Sequence, residues 1–252
     1  MIALCLLIKD EGAYLPEWMD WHFAAGIEHV YLYDNGSEVP VSDSIPEAYI
    51  DRCTVVDWFG PHTHTQIDAY THCLKTYGPA CEWIGFVDTD EFIHIEDGRS
   101  IGAYLATLPA DADGVALRWV IYGAGGQYTK TPGKVRERFT VKAQYPPHLL
   151  QCKCIVRPAY IKSMAAHGPI QVDSHQPRLV NSRGQPIWSI FDPSLTAEAA
   201  WVDHYFTRSL EEWREKIARG SCDPLSHRAF DLFWEINPDM KPESNGKTAV
   251  EK

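Results

Sequence analysis

Over its first hundred residues the chain alternates short β-rich runs with amphipathic segments, and this rhythm limits the available folds more than any other feature. Runs at 2–8, 28–33, 53–58 and 83–88 read as strands, and segments at about 13–25 and 65–77 read as helices. The first helix carries Leu15, Trp18, Met19, His22 and Phe23 at three- and four-residue spacings, with Gly26 behind it. Strands separated by helices imply an α/β fold with a largely parallel sheet. Three strands close in polar residues, KDEG, YDNGS and DTDE. Ligands of open parallel sheets sit at the carboxyl ends of strands, so these ends are expected to line one crevice.

From residue 114 the pattern changes to a strand, GVALRWV, a glycine-rich loop, YGAGGQYTKTPGK, and a further strand around 150–157. Ser209 and Glu212 predict a capping box for a helix over 209–219, with Gly220 at its far end. Residues 238–252 are poor in apolar side chains and are expected to form a mobile tail. There is no internal repeat and no Pro/Ser-rich linker, so residues 1–237 are expected to form a single domain.

A net charge of −11 and the lack of a basic run argue against nucleic acid as a partner. Seven cysteines, an odd number in a chain with enough apolar content to build a core, point to a reducing compartment. No apolar run approaches the roughly 20 residues a membrane span needs. The expected location is cytoplasmic, free or peripheral at the inner membrane face. Cys152 and Cys154 lack a partner pair at zinc spacing.

The stretch WIGFVDTDEFIHI sets Asp88, Asp90 and Glu91 within four residues behind an apolar run. On an extended strand Asp88 and Asp90 would project to one side, where two like charges need a cation or water. Mg²⁺ and Mn²⁺ take oxygen ligands, and Mg²⁺ commonly uses one or two carboxylates with the rest supplied by water and phosphates. A hydrated turn cap is the other reading of an isolated Asp-x-Asp. Haloacid-dehalogenase-like phosphatases also place Asp-x-Asp after an apolar strand, but Glu91 and Phe92 stand where they carry a small β-branched residue, and no later acidic pair resembles their second metal motif.

Five segments in order, LLIKDEGAYLPEWMDWHFAAGIEHVYLYDNGS, EWIGFVDTDEFI, YGAGGQ with VRERF, KCIVRP and DHYFTRSLEEWREKIARG, resemble glycosyltransferase family 92 and its bacterial family-2-like relatives. That resemblance implies one GT-A-like (Rossmann-like) domain with a mixed, mostly parallel central sheet flanked by helices. It implies a nucleotide-binding half at 1–110 and an acceptor-binding half at 111–237. The implied activity is metal-dependent, inverting transfer of a hexosyl group from a UDP-sugar to a carbohydrate or other hydroxyl acceptor, with Mn²⁺ or Mg²⁺. A nucleotide- or sugar-binding protein without catalysis is the non-enzymatic alternative.

By the same resemblance Lys9, Glu11 and Asp34 hold base and ribose, Asp90 is the direct metal ligand, and Asp88 lies near the ribose or a metal-bound water. Gln66 is implied beside the diphosphate, and His167 or His204 as a late metal ligand. Glu137 is the implied catalytic base, with Glu91 as the alternative. Turn chemistry for Asp34, an ion pair for Glu137 and inert core positions for the histidines are the competing readings. Lys153 and Arg157 either face the diphosphate or are strand-edge charges. Gln127, where relatives tend to carry histidine, is the main departure.

Overall fold

A computed structural model describes residues 1–58, 65–144, 151–171, 177–220 and 230–241. In chain order the elements are β1 (Ile2–Ile8), α1 (Leu15–Ala24), β2 (His29–Asp34), β3 (Cys53–Asp57), α2 (Thr65–Thr76), β4 (Trp83–Phe86), β5 (Glu91–Ile95) and α3 (Ile101–Leu105). They continue with β6 (Gly114–Ile121), α4 (Val135–Arg138), β7 (Cys152–Val156), β8 (Ser163–Met164), β9 (Pro169–Gln171), β10 (Leu179–Val180), β11 (Ala200–His204), α5 (Leu210–Arg219) and α6 (Asp231–Ile236).

The main sheet runs β3-β2-β1-β4-β7-β6-β11-β5, with β10 on β6. Pairs among β3, β2, β1 and β4 are parallel, as are β6 with β10 and β11. β7 is antiparallel to β4 and β6, and β5 to β11. The sheet is therefore mixed and mostly parallel, as expected, and the ends of β1, β2 and β4 lie side by side.

Both faces of β1 are covered. Leu4, Leu6 and Ile8 pack with Leu15, Trp18, Met19 and Phe23 of α1, while Ala3 and Cys5 pack with Ala69, Tyr70 and Cys73 of α2. Burying each of Leu15, Met19 and Phe23 contributes roughly 1.5–3 kcal/mol. His22, fully buried on α1, has Nδ1 2.9 Å from the Trp18 carbonyl and accepts the Ile93 N–H on Nε2. Burial pushes its pKa down to about 3, so the neutral ring serves as a core acceptor.

Only Val87–Asp90 joins β4 to β5, although three strands lie between them in the sheet order. Four strand spacings in a flat sheet span ~19 Å. Five residue steps reach at most roughly 17–18 Å even when straight, and this link is bent by a Glu91 N–H bond to the Asp88 carbonyl. The sheet must therefore curl until β5 approaches β4, which sets the acidic turn at the corner of the curl.

α5 has the expected capping box: Ser209 Oγ accepts the Glu212 N–H and the Glu212 carboxylate accepts the Ser209 N–H. Gly220 follows with φ +86°. The tail expected from 238 does not begin there, because Pro238–Met240 forms a 3-10 turn and Met240 is buried with Leu210, Trp213 and Phe233. Residues 242–252 lie outside those described.

Candidate active site

The acidic turn is closed by its own side chains. Glu91 Oε2 accepts the Asp88 N–H at 2.8 Å, and Trp18 Nε1 donates to the carbonyls of Asp88 (3.0 Å) and Glu91 (2.9 Å). Tyr205 N–H donates to the Asp90 carbonyl, tying the turn to the end of β11. β4 ends at Phe86, so Asp88 and Asp90 do not project in parallel from a strand end as the sequence pattern suggested. Each carboxylate instead meets a different lysine.

The Asp88 side chain is one-third exposed (34%). Lys153, the second residue of β7, places Nζ 2.9 Å from Asp88 Oδ2 and 3.4 Å from Glu91 Oε2. Gln66 Nε2 and Tyr70 OH on α2 donate to Asp88 Oδ1 at 3.1 and 3.2 Å. Burial raises the Asp88 pKa, but the Lys153 ammonium outweighs it and holds the carboxyl below its usual range. Arg157 instead pairs with Glu82 at 3.1 Å and covers Trp83, away from the carboxylates.

Asp90 is buried. Its Oδ2 lies 2.5 Å from Lys216 Nζ on α5 and 3.6 Å from His204 Nε2. Burial raises its pKa, and Lys216, followed by His204 and Arg208, pulls it well below the ordinary value. Glu91 has no exposed surface, and burial with the nearby Asp88 and Asp90 charges pushes its pKa up to about 8 despite Lys153. Its Oε1, buried without a hydrogen bond, is 3.9 Å from His204 Nε2, a meeting set by the β11–β5 register that pairs His204 with Glu91.

The two histidines are prepared differently. His167 places Nδ1 3.0 Å from the Cys152 carbonyl, so the neutral ring carries its proton there and its lone pair on Nε2. Burial, then Lys153, pushes its pKa down to about 4. His204 sits nearer the carboxylates with Nε2 toward them, but its buried Nδ1 has no hydrogen bond among the described residues. Both rings contact Trp119, whereas Trp188 is 76% exposed.

Among the described residues, no group of three or more His, Cys, Asp and Glu side chains is arranged to hold a metal ion. The donors at Asp90 nonetheless fit a hard divalent cation that draws its other ligands from phosphate and water. A carboxylate and an imidazole converge there, and a lysine ammonium already occupies the carboxylate as a cation.

The remaining sequence candidates separate. Glu11 accepts bonds from Thr89 Oγ1, from Arg219 at 2.6 Å and from Arg208 at 3.4 Å, so it braces the turn against α5. Asp34 is buried at the end of β2 and accepts the Ser37 and Val41 N–H groups at 2.9 and 3.1 Å, which is turn chemistry. Lys9 is half-buried and forms no hydrogen bond or ion pair among the described residues. Glu137 is exposed on α4, with no contact joining it to the carboxylates; its neighbours carry the pairing expected of it, Arg138 with Glu212 and Arg136 over Trp21. Gln127 donates to the Arg138 carbonyl. His62 and His64 lie outside the described residues. Sequence reasoning missed Tyr70, Arg208, Lys216 and Arg219. One signal existed: Lys216 shares the buried face of α5 with Leu210 and Trp213, where a cation needs a partner.

The family model of glycosyltransferase family 92 matches residues 4–219. The chain belongs to glycosyltransferase family 92. A family 92 protein of Oryza sativa subsp. japonica is 27% identical over 235 residues, covering 88% of this chain and 38% of that protein. Another, of Ricinus communis, is 33% identical over 101 residues, covering 40% of this chain and 18% of the relative. The family 92 chain thus spans well under two thirds of the length of these relatives. Among solved structures, S. aureus TarS 1–349 overlaps with a TM-score of 0.40 at 20% identity, covering 64% of this chain and 48% of TarS. A Pyrobaculum calidifontis mannosyltransferase, solved with GDP-Man and Mn²⁺, overlaps at 0.33 and 16% identity, covering 46% and 34%. No described helix is long and apolar enough to cross a membrane.

Proposed function

We propose that this family 92 chain is a metal-dependent, inverting glycosyltransferase that moves a sugar from a UDP-sugar to a hydroxyl of a carbohydrate acceptor. The observation that carries the proposal is the convergence of Gln66, Tyr70 and Lys153 on the partly exposed Asp88 carboxylate, with Asp90 and His204 meeting close by. Family membership supports the reaction class over a haloacid-dehalogenase-like phosphatase.

In this reading Asp90 and one imidazole, His204 or His167, hold Mn²⁺ or Mg²⁺. Bound there, the ion supplies Lewis-acid stabilisation of the charge that builds on the departing diphosphate. Asp88, one-third exposed and kept ionised by Lys153, accepts hydrogen bonds from the nucleotide. Gln66 and Tyr70 fix the direction of the Asp88 carboxylate. Lys9 and the Asp34 turn flank the base and ribose, while Glu11 holds the turn in place through Thr89.

An inverting enzyme needs a base on the face of the sugar opposite the leaving group. Glu137 is the proposed base, being open to solvent and so to an acceptor hydroxyl. Glu91 has no exposed surface and acts by positioning Lys153 and the Asp88 amide.

The test is Asp90→Asn in a folded protein. Turnover and Mn²⁺-dependent UDP binding should both vanish, with retained near-UV circular dichroism. Unchanged activity would refute the assignment, and UDP binding by the native chain with no donor consumed across an acceptor panel would favour a binding protein.

A further inference from the structure

We infer that Arg208 is an oxyanion receptor: the Nε–Nη2 edge of its guanidinium takes two oxygens of a phosphate group in the cavity between the end of β1 and α5. The identity of that phosphate rests on the donor reading above, while the site itself does not. The cavity holds about 430 Å³, and its walls include Asp10, Glu11, Tyr14, Arg208, Glu212 and Arg219. Arg208 belongs to the link between β11 and α5 and is 4% exposed. Of its side-chain nitrogens only Nη1 has a hydrogen-bond partner among the described residues, Glu11 Oε1 at 3.4 Å; Nε and Nη2 are buried without one. Those two nitrogens form one edge of the planar guanidinium, and their parallel N–H groups match two oxygens of a phosphate or carboxylate. A buried cation that keeps such a pair of donors without an acceptor calls for an explanation, and a ligand supplies it.

The backbone points to the same place. Among the described residues, Asp10 and Arg208 are the non-glycine positions with positive φ, +52° and +53°, and both line this cavity. Left-handed backbone outside glycine is costly and concentrates at ligand sites. At Asp10 it is held by the Asp10 N–H bond to Ser37 Oγ at 3.0 Å and by the Glu38 N–H bond to Asp10 Oδ1 at 2.8 Å.

The charges suit an anion despite the acids in the walls. Glu212 is paired with Arg138 at 2.5 Å, and one oxygen of Glu11 is shared by Arg219 at 2.6 Å and Arg208 at 3.4 Å. The two buried carboxylates thus meet three guanidiniums. Asp10, Glu38 and Glu215 are exposed, where water and salt screen them, and Glu215 is paired with Lys130. Arg208 can also turn into the cavity at little cost. Glu11 keeps Arg219 on one oxygen and Thr89 Oγ1 on the other, so no carboxylate is stranded. The guanidinium lies over the Tyr14 ring, 3.6 Å from its centre, a face along which it can slide. The site adjoins the acidic turn, because Glu11 bonds Thr89 and Arg208 is among the cations that hold Asp90 ionised. Two sources carry the required chemistry, the diphosphate of the donor and a phosphorylated acceptor.

The test is calorimetric titration of the full chain with pyrophosphate in the presence of EDTA, which keeps it separate from the metal reading. The native chain should bind pyrophosphate. Arg208→Lys keeps the charge and loses the fork, and Arg208→Gly removes the side chain at a φ that glycine accepts. Binding should weaken on the order of tenfold in Arg208→Lys and up to about a hundredfold in Arg208→Gly. Arg178→Gln, whose arginine pairs with Asp111, controls for net charge and should bind like the native chain. Circular dichroism and melting confirm each fold, and Arg208→Lys carries the comparison should Arg208→Gly fail to fold. Displacement of pyrophosphate by UDP but not by uridine assigns the site to the donor, and displacement by a hexose phosphate but not by UDP assigns it to the acceptor. No pyrophosphate uptake by the native chain, equal affinity in the native chain and the folded Arg208 variants, or equal weakening in Arg178→Gln overturns the inference. Displacement by neither UDP nor the hexose phosphate overturns it as well. The metal reading, tested at Asp90, stands or falls independently of these results.

Discussion

Replacing Lys153 by methionine keeps the length of the side chain and removes its charge beneath the acidic turn. Lys153 is 2% exposed, its pKa is held above the usual lysine value, and its ammonium serves Asp88 at 2.9 Å and Glu91 at 3.4 Å. Removing one member of a buried ion pair costs ~3–5 kcal/mol when the remaining charge is stranded. Two features soften that loss: Asp88 is one-third exposed and can turn to water, and Glu91, pushed up to about 8, is already mostly protonated at pH 7. The expected destabilisation is therefore about 2–3 kcal/mol, which lowers Tm by roughly 4–12 °C in a chain of this size. Urea unfolding at pH 7 with an unchanged m-value measures it. A loss below about 1 kcal/mol would show that Lys153 does not neutralise the turn.

Other expectations concern single contacts. Glu91 has its folded pKa raised from 4.5 to about 8, so its stabilising contribution is complete below pH 4.5 and is lost as pH rises toward 8. Glu91→Gln should flatten the stability profile across that window, and an unchanged slope would assign it to other groups. Ser209→Ala removes the α5 cap and should cost about 1 kcal/mol, read as a Tm lowered by roughly 2–4 °C. Gln66→Ala removes a hydrogen bond to Asp88 and should raise the donor KM by roughly 2–12-fold at nearly constant kcat, the range of about 0.5–1.5 kcal/mol per bond. A fall in kcat with KM unchanged would place Gln66 in the chemical step. Trp18→Phe keeps an aromatic ring, though a smaller one, and leaves the Asp88 and Glu91 carbonyls without their shared donor; it should destabilise by at least about 1–2 kcal/mol in the same urea assay.

Local features were legible in the sequence because their causes are local. The capping box at Ser209 and Glu212, the apolar stripe of α1 and the polar ends of β1, β2 and β4 each follow from spacing within a few residues. Asp88 and Asp90 could be singled out because charge after an apolar run needs a partner. What they pair with was not legible, since Lys153 lies 65 residues from Asp88 and Lys216 lies 126 from Asp90. Glu11 looked like part of a polar loop, yet its partners Arg208 and Arg219 arrive from the far end of the family match, 197 and 208 residues away. The curl that brings β5 back toward β4 was equally hidden, because reading 83–88 as one strand left no room for a turn at Val87–Asp90.

That corner is short, and its shortness gives distant residues a hold on the carboxylates. Gly85, in the strand leading into the turn, is closely covered: an added Cβ would come within 2.7 Å of Leu4 Cδ2, the end of a side chain that can turn, and 3.3 Å of Ile155 Cγ1. Widening β4 from β1 at that point has no slack to absorb it in a four-residue link. Unless Leu4 turns aside, the displacement passes to Asp88 and Asp90, so a replacement wholly inside the hydrocarbon interior would shift the acidic pair with every polar group around it still present.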